Sequence, residues 1–218
     1  MFGWRDVRRK YVMEVELKYQ VGNKATLDEI ANDAELARFE EKGSREGIQM
    51  KAVYFDTKDR SLSEACFAFR VRLEGERTFA TLKWKGSVKG ALHTRQEINV
   101  PVSDETCLIS PNPEVFNECE MGKPFMDAIG KKKLYPLVEI ASFRRRFRVE
   151  YGESLIEVSI DEGEIITEKG NEPISEVEFE LFAGNEEKLE ELGKKIADKY
   201  GLKPGKKSKY ARGLALLS

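Results

Sequence analysis

Strict alternation of charged and apolar side chains, repeated six times, constrains this chain more than any other feature. Glu14, Glu16 and Lys18 interleave with Met13, Val15, Leu17 and Tyr19, and Arg70 and Arg72 stand between Phe69, Val71 and Leu73. Lys83 and Lys85 flank Trp84, and Arg95 and Glu97 precede Ile98. Arg144, Arg146 and Arg148 surround Phe147 and Val149, while Glu176, Glu178 and Glu180 alternate with Val177, Phe179 and Leu181. A period of two is the signature of β-strands, whose successive side chains point to opposite faces. The charges also sort by strand into acidic and basic faces, which a merely solvated surface does not require. If those faces converge, they form a site for a polyanion held with metal ions.

At 218 residues the chain is long enough for one large barrel-like domain, and one core is the economical expectation. With 37 Lys+Arg against 39 Asp+Glu the formal net charge is -2, so no overall field favours nucleic acid or an anionic membrane. Recognition of charge has to come from local segregation. Cys66, Cys107 and Cys119 form no short-spaced metal-binding pair, and their odd number without a secretory signal predicts reduced thiols in a cytoplasmic protein. The basic start (Arg5, Arg8, Arg9, Lys10) lacks the apolar stretch of a signal peptide. No run approaches the roughly 20 apolar residues that span a bilayer.

Thr26, with Glu29 three residues on, predicts a capping box opening one helix through Phe39, ended by Gly43. Strands are expected over 49–56, 66–73 and 77–85, the last two joined as a hairpin, with a loop over 86–90 and another strand over 94–102. Pro111, Pro113, Gly122 and Pro124 punctuate residues 103–134, which read as an excursion from the core containing a short helix near Asp127. Strands follow over 137–151, 154–161, 163–166 and 174–182. A second helix spans 186–200, with Leu189, Leu192, Ile196 and Ala197 on one stripe and Gly201 just past its end. Many short strands with few helices argue for an antiparallel barrel or sandwich. Periodicity leaves two arrangements open: charged faces outward around an apolar core, or charged faces lining a barrel whose apolar faces pack outward against helices.

The segment Glu14-Val15-Glu16-Leu17-Lys18 resembles the ExExK signature of the CYTH domain, the triphosphate tunnel metalloenzymes. Further motifs agree in order: Tyr54-Phe55-Asp56-Thr57, Phe69-Arg70-Val71-Arg72, Thr81-Leu82-Lys83, Leu92-His93-Thr94-Arg95-Gln96-Glu97, the stretch from Glu157 to Asp161, Glu176-Val177-Glu178-Phe179-Glu180, and Ser208-Lys209-Tyr210 with Arg212-Gly213. The resemblance spans residue 12 to the C-terminus, which leaves 1–11 as an N-terminal extension and 12–218 as a single CYTH domain. It is nearest to the bacterial inorganic triphosphatase branch, in a version without the CHAD domain that often follows.

The resemblance implies an α+β, mainly antiparallel fold: an eight-stranded closed barrel, open at both ends as a tunnel, with helices packed outside. It implies metal-dependent hydrolysis of the terminal phosphate of a triphosphate. Lys18, Arg70, Arg72, Lys83, Lys85, Arg95, Arg144, Arg146, Lys209 and Arg212 are then the candidate phosphate-binding cations. Arginine suits bidentate contacts and lysine acts as a point charge. Glu14, Glu16, Asp161, Glu176, Glu178 and Glu180 are the candidate ligands for Mg²⁺ or Mn²⁺, hard ions that prefer oxygen, with Glu157 a further addition. Glu14, Glu16 and Lys18 form the implied catalytic core. Three carboxylates along one strand span about 13 Å, so two of Glu176, Glu178 and Glu180 are expected on metal.

Inorganic triphosphate is the leading substrate. Thiamine or nucleoside triphosphate hydrolysis, or cyclisation of ATP as in class IV adenylate cyclases, keeps the fold and changes what fills the tunnel beyond the phosphates. A non-catalytic polyphosphate-binding module has little use for the acidic faces. The bland alternatives are a charged edge strand for residues 144–148 and a solvated tail for Lys206 and Lys207.

Overall fold

The computed structural model describes residues 11–103 and 105–218, so the expected N-terminal extension falls, but for Tyr11, outside the described residues. Strand β1 (Val12–Gln20) leads through helices α1 (Lys24–Ala31) and α2 (Ala34–Phe39) to β2 (Glu46–Thr57). A helical turn, α3 (Ser61–Glu64), precedes the meander β3 (Ala68–Glu74), β4 (Arg77–Lys89) and β5 (Leu92–Val102). Two 3₁₀ turns (Glu105–Leu108 and Pro113–Phe116) and α4 (Gly122–Ile129) connect to the long strands β6 (Leu134–Tyr151), β7 (Ser154–Thr167) and β8 (Gly170–Ala183). Helix α5 (Glu186–Tyr200), the two-residue β9 (Lys203–Pro204) and α6 (Lys209–Leu216) follow.

The strands pair in the order β5-β4-β3-β2-β6-β7-β8-β1, and β1 also pairs with β5, from Val12 opposite Glu97 to Leu17 opposite Leu92. Every ladder is antiparallel, so eight strands close into a barrel with no free edge. β9 attaches to β1 beside Tyr19 and Gln20.

Closure settles which face is buried outward. Leu17, Phe147, Val149, Ile156, Val158, Val177 and Phe179 lie under Leu27 and Ile30 of α1, Leu36 of α2, and Leu189, Leu192 and Ile196 of α5. On the opposite side, Phe69, Val71, Leu82, Ile98 and Val100 pack with Leu62, Phe116, Phe125 and Ile129. These two apolar shells lie outside the wall, and the charged faces point inward. Of the two arrangements the alternation allowed, the chain adopts the charged interior.

The third apolar cluster seats the last helix at one end of the barrel. Ala52, Tyr54, Val138, Ile140, Ile165 and Ile174 gather around Tyr210 of α6, with Leu214 beside them. Tyr54 and Tyr210 stack with ring centroids 4.5 Å apart. A Cβ on Gly213 would fall 2.4 Å from Val138, so only glycine lets α6 approach so closely. Ala52, Tyr54 and Ile140 belong to inward-facing rows, so α6 lies across one mouth of the barrel.

Several boundaries also differ. The helix expected over 26–39 is two helices, because Asn23 accepts a hydrogen bond from the Thr26 amide at 3.0 Å and starts α1 three residues earlier. Buried Asp33 then accepts from the amides of Glu35 and Leu36 at 2.9 and 3.0 Å and starts α2. Residues 86–90 are not a loop, since β4 runs on to Lys89, and residues 163–166 continue β7 without a break. Residues 103–134 are not an excursion: Phe116 and Phe125 pack edge-on to each other, centroids 5.5 Å apart, and Phe125 lies 5.4 Å from Phe69. Among the described residues no helix is long and apolar enough to cross a membrane.

Candidate active site

A cavity of about 230 Å³ runs through the barrel interior. β1 contributes Glu14, Glu16 and Lys18; β3 contributes Arg70, Arg72 and Glu74; β4 contributes Lys83; and β5 contributes Arg95, Glu97 and Asn99. Arg144 and Arg146 enter from β6, Glu157 and Asp161 from β7, Glu178 and Glu180 from β8, and Lys209 from the start of α6. Each strand supplies alternate residues because the pleat turns every second side chain inward.

Toward α6 the charges neutralise one another. Arg144 grips Asp161 with two parallel bonds of 2.7 and 2.6 Å and reaches Glu178 at 2.8 Å. Lys209 touches Asp161 at 2.9 Å, Glu176 at 2.7 Å and Glu178 at 2.8 Å, and Lys18 bonds to Glu178. Burial alone would raise the Glu178 pKa, but Lys18, Lys209 and Arg144 hold it well below the usual carboxylate range. The same balance raises Lys18: burial opposes its charge, and Glu16 and Glu178 overcome it.

The middle of the tunnel is less balanced. Lys83 contacts Glu14 at 2.7 Å and Glu97 at 2.5 Å, and although burial works against it, Glu97 is held at about 2 by Lys83 and Arg70. Glu180 has no ion-pair partner among the described residues. Burial, reinforced by Glu14, Glu97 and Glu16, pushes its carboxyl up to about 8. On the basic side, burial and then repulsion from Arg70 bring Arg72 down to about 10. The Nε atoms of Arg70 and Arg72 are both buried without a hydrogen-bond partner among the described residues. Two buried guanidinium donors thus stand unused across from an under-neutralised group of carboxylates.

Three comparisons bear on these residues. The family model for the CYTH domain matches residues 12–214. The chain belongs to the CYTH domain family. An inorganic triphosphatase of Haemophilus influenzae is 34% identical over 136 residues, covering 62% of this chain and 37% of that protein. The chain therefore spans little more than a third of the length of the curated relative it matches. The CYTH fold itself recurs in a Hippeastrum protein studied as an adenylyl cyclase and described as having a dominant triphosphatase activity, with TM-score 0.69, 15% identity, and 93% and 95% of the two chains covered. It recurs again in a protein of Pyrococcus horikoshii with TM-score 0.57, 18% identity, and 93% and 98% covered.

CYTH membership implies a divalent cation, and the donor set is suited to one. Among the described residues no three acidic, histidine or cysteine side chains enclose a single point, so the barrel offers no closed protein cage. Mg²⁺ does not require one, since it keeps several waters and is held by one or two carboxylates together with phosphate oxygens. The repulsion that raises Glu180 is the kind a dication in the group Glu14, Glu16, Glu97 and Glu180 would relieve. This gives a stability prediction for metal-free protein. Glu180 keeps its proton in the fold up to about pH 8 but releases it near 4.5 when unfolded, so the stability it adds below pH 4.5 is lost as pH rises toward 8. Glu180→Gln is expected to raise the melting temperature by about 3 °C at pH 8.5 without metal and to change it little at pH 5, as followed by calorimetry.

Not every expected residue reaches the tunnel. Lys85 is exposed, with φ +49°, because the β4–β5 register slips by one residue between Trp84 and Ser87 and this bulge re-aims its side chain outward. Lys85→Ala is expected to shift the melting temperature by less than about 2 °C, as for an ordinary surface change. Arg212 and Glu176 are buried behind the tunnel end. Arg212 bonds to Glu172 at 2.7 Å and also to Glu176, which in turn holds Lys209. Neither lines the cavity, and Glu176 fastens α6 to β8.

Glu97, Glu74, Asn99 and Tyr54 line the tunnel without having been expected there. Glu97 shares the alternation of Arg95, and Glu74 continues that of Arg70 and Arg72, so both carried a signal. His93 is buried, with Nε2 2.7 Å from the Gly205 carbonyl oxygen.

Proposed function

We propose that this protein is a divalent-metal-dependent triphosphatase that hydrolyses the terminal phosphate of inorganic triphosphate in the cytoplasm. The observation that carries the reading is the pair of buried Nε donors of Arg70 and Arg72, unpartnered among the described residues, facing the carboxylates around Glu180 across one cavity. The 34% identity to an inorganic triphosphatase supports the choice of substrate.

A triphosphate entering a cavity of restricted solvation needs cations fixed before it arrives. Arg70, Arg72 and Arg146 present forks for the phosphate oxygens, and Lys83 and Arg95 add charge from the neighbouring strands. Arg144, Lys18 and Lys209 are engaged with Glu178 and Asp161, so they fix the electrostatic floor of the tunnel. Glu14, Glu16 and Glu180 are the residues that would hold the cation, with Glu178 at their border. When bound, Mg²⁺ or Mn²⁺ would supply positive charge that neutralises the phosphate oxygens and activates water. The side chains position and neutralise, and no covalent phosphoenzyme is required.

The test is phosphate release from triphosphate, thiamine triphosphate and ATP, each titrated with Mg²⁺ and Mn²⁺ and repeated with chelator. Turnover should be highest on triphosphate and vanish with chelator. Cyclic AMP formed from ATP, or binding of all three without phosphate release, would overturn the reading.

A further inference from the structure

We propose that His93 is a positioning residue, a latch whose Nε2 fastens the 203–208 strap and thereby sets Lys209 at the tunnel end. The proposal rests on the triphosphatase reading only for its kinetic consequence. His93 is the only histidine in the chain and is 2% exposed. It shares the inward row of Arg95 and Glu97 and lies opposite Glu16 in the β1–β5 register.

Its one side-chain hydrogen bond among the described residues runs to the Gly205 carbonyl oxygen at 2.7 Å. A carbonyl only accepts, so the proton resides on Nε2, and Nδ1 is left as a buried acceptor with no partner among the described residues. A buried imidazole with an unmet acceptor is a costly way to fill space. The group is intelligible as the donor of that single bond.

Gly205 is held from its other side as well. Its amide donates to the Lys18 carbonyl oxygen at 2.8 Å, and a Cβ there would come within 2.9 Å of Lys18 Cγ. The strap is thus clamped at one residue between β1 and β5. Three residues on, the Ser208 hydroxyl accepts from the Ala211 amide at 3.2 Å and starts α6. Lys209, next in the chain, makes its three carboxylate contacts. The latch therefore ties the backbone that bears Lys18 to the segment that delivers Lys209.

The test is amide hydrogen exchange over residues 203–216 in metal-free, substrate-free protein, comparing wild type with His93→Ala, His93→Gln and His93→Asn. Glutamine places its amide nitrogen near the position of Nε2, whereas asparagine places it near Nδ1. His93→Ala is expected to speed exchange at 205–211 by about tenfold, with Gln restoring protection and Asn failing to. In turnover, His93→Ala should raise KM for triphosphate by about five- to tenfold with kcat changed less than about twofold, again rescued by Gln alone. Unchanged exchange in His93→Ala, or rescue by Asn equal to that by Gln, would overturn the latch. If His93→Ala does not fold, the Gln and Asn variants decide the matter between them. Wild-type protein without triphosphatase activity would defeat the functional reading, while the exchange comparison would still judge the latch.

Discussion

Glu16→Gln is expected to lower kcat for triphosphate on the order of 10³-fold, the scale of removing a charge that anchors an activating cation. Among the tunnel carboxylates Glu16 is one of the least committed. Its contact with Lys18 is 3.3 Å, whereas Glu14 and Glu97 share Lys83 at 2.7 and 2.5 Å and Glu178 is gripped by three cations. It lies opposite Glu180 in the β1–β8 register, so the two flank the same stretch of cavity. Glutamine keeps the volume and removes the charge. Substrate binding without metal should weaken little or even tighten, because one negative charge leaves the path of a polyanion. Calorimetric titration of triphosphate beside steady-state kinetics separates the two effects. Turnover that survives the substitution would remove Glu16 from any metal role.

Arg72→Ala is expected to lower kcat/KM by about 10²- to 10³-fold, the range for deleting one preorganised donor to developing phosphate charge. Burial and the proximity of Arg70 bring this guanidinium down to about 10, so it remains charged at neutral pH although Glu74 only partly offsets the repulsion. Removing it relieves that repulsion. The melting temperature should therefore hold within a few degrees even though Glu74 loses a partner. Arg72→Lys should recover part of the loss, since charge returns without the planar fork. Activity within about threefold of the parent in Arg72→Ala would place phosphate binding elsewhere in the tunnel.

Much of this was legible in the sequence because a β-barrel writes its wall as alternation. Glu14, Glu16, Lys18, Arg70, Arg72, Arg144 and Arg146 all fall on inward rows and line the cavity. What alternation does not encode is the sign of the face. A strand with one charged and one apolar side reads the same whether its charges point to solvent or to a tunnel, and only closure of β1 onto β5 distinguishes them. Nor does it encode height along the axis. Glu176 has the same parity as Glu178 and Glu180, yet it meets Arg212 and Lys209 behind the tunnel end. Lys85 shows the remaining failure, because the rule that pairs it with Lys83 assumes an unbroken ladder and the slip after Trp84 breaks it. The helix break at Asp33 had a signal in the side-chain acceptor itself, but the apolar spacing running through it pointed to one continuous helix.

Placing the adhesive surfaces on the outer skin of the barrel separates two tasks that most small enzymes must perform with the same atoms. Phe69, Phe147 and Phe179 keep the shell together from outside, so the apolar packing that holds it does not depend on which charges line the lumen. A shell built this way can be refitted from one anionic cargo to another by rewriting a few inward letters, leaving the glue on its exterior untouched.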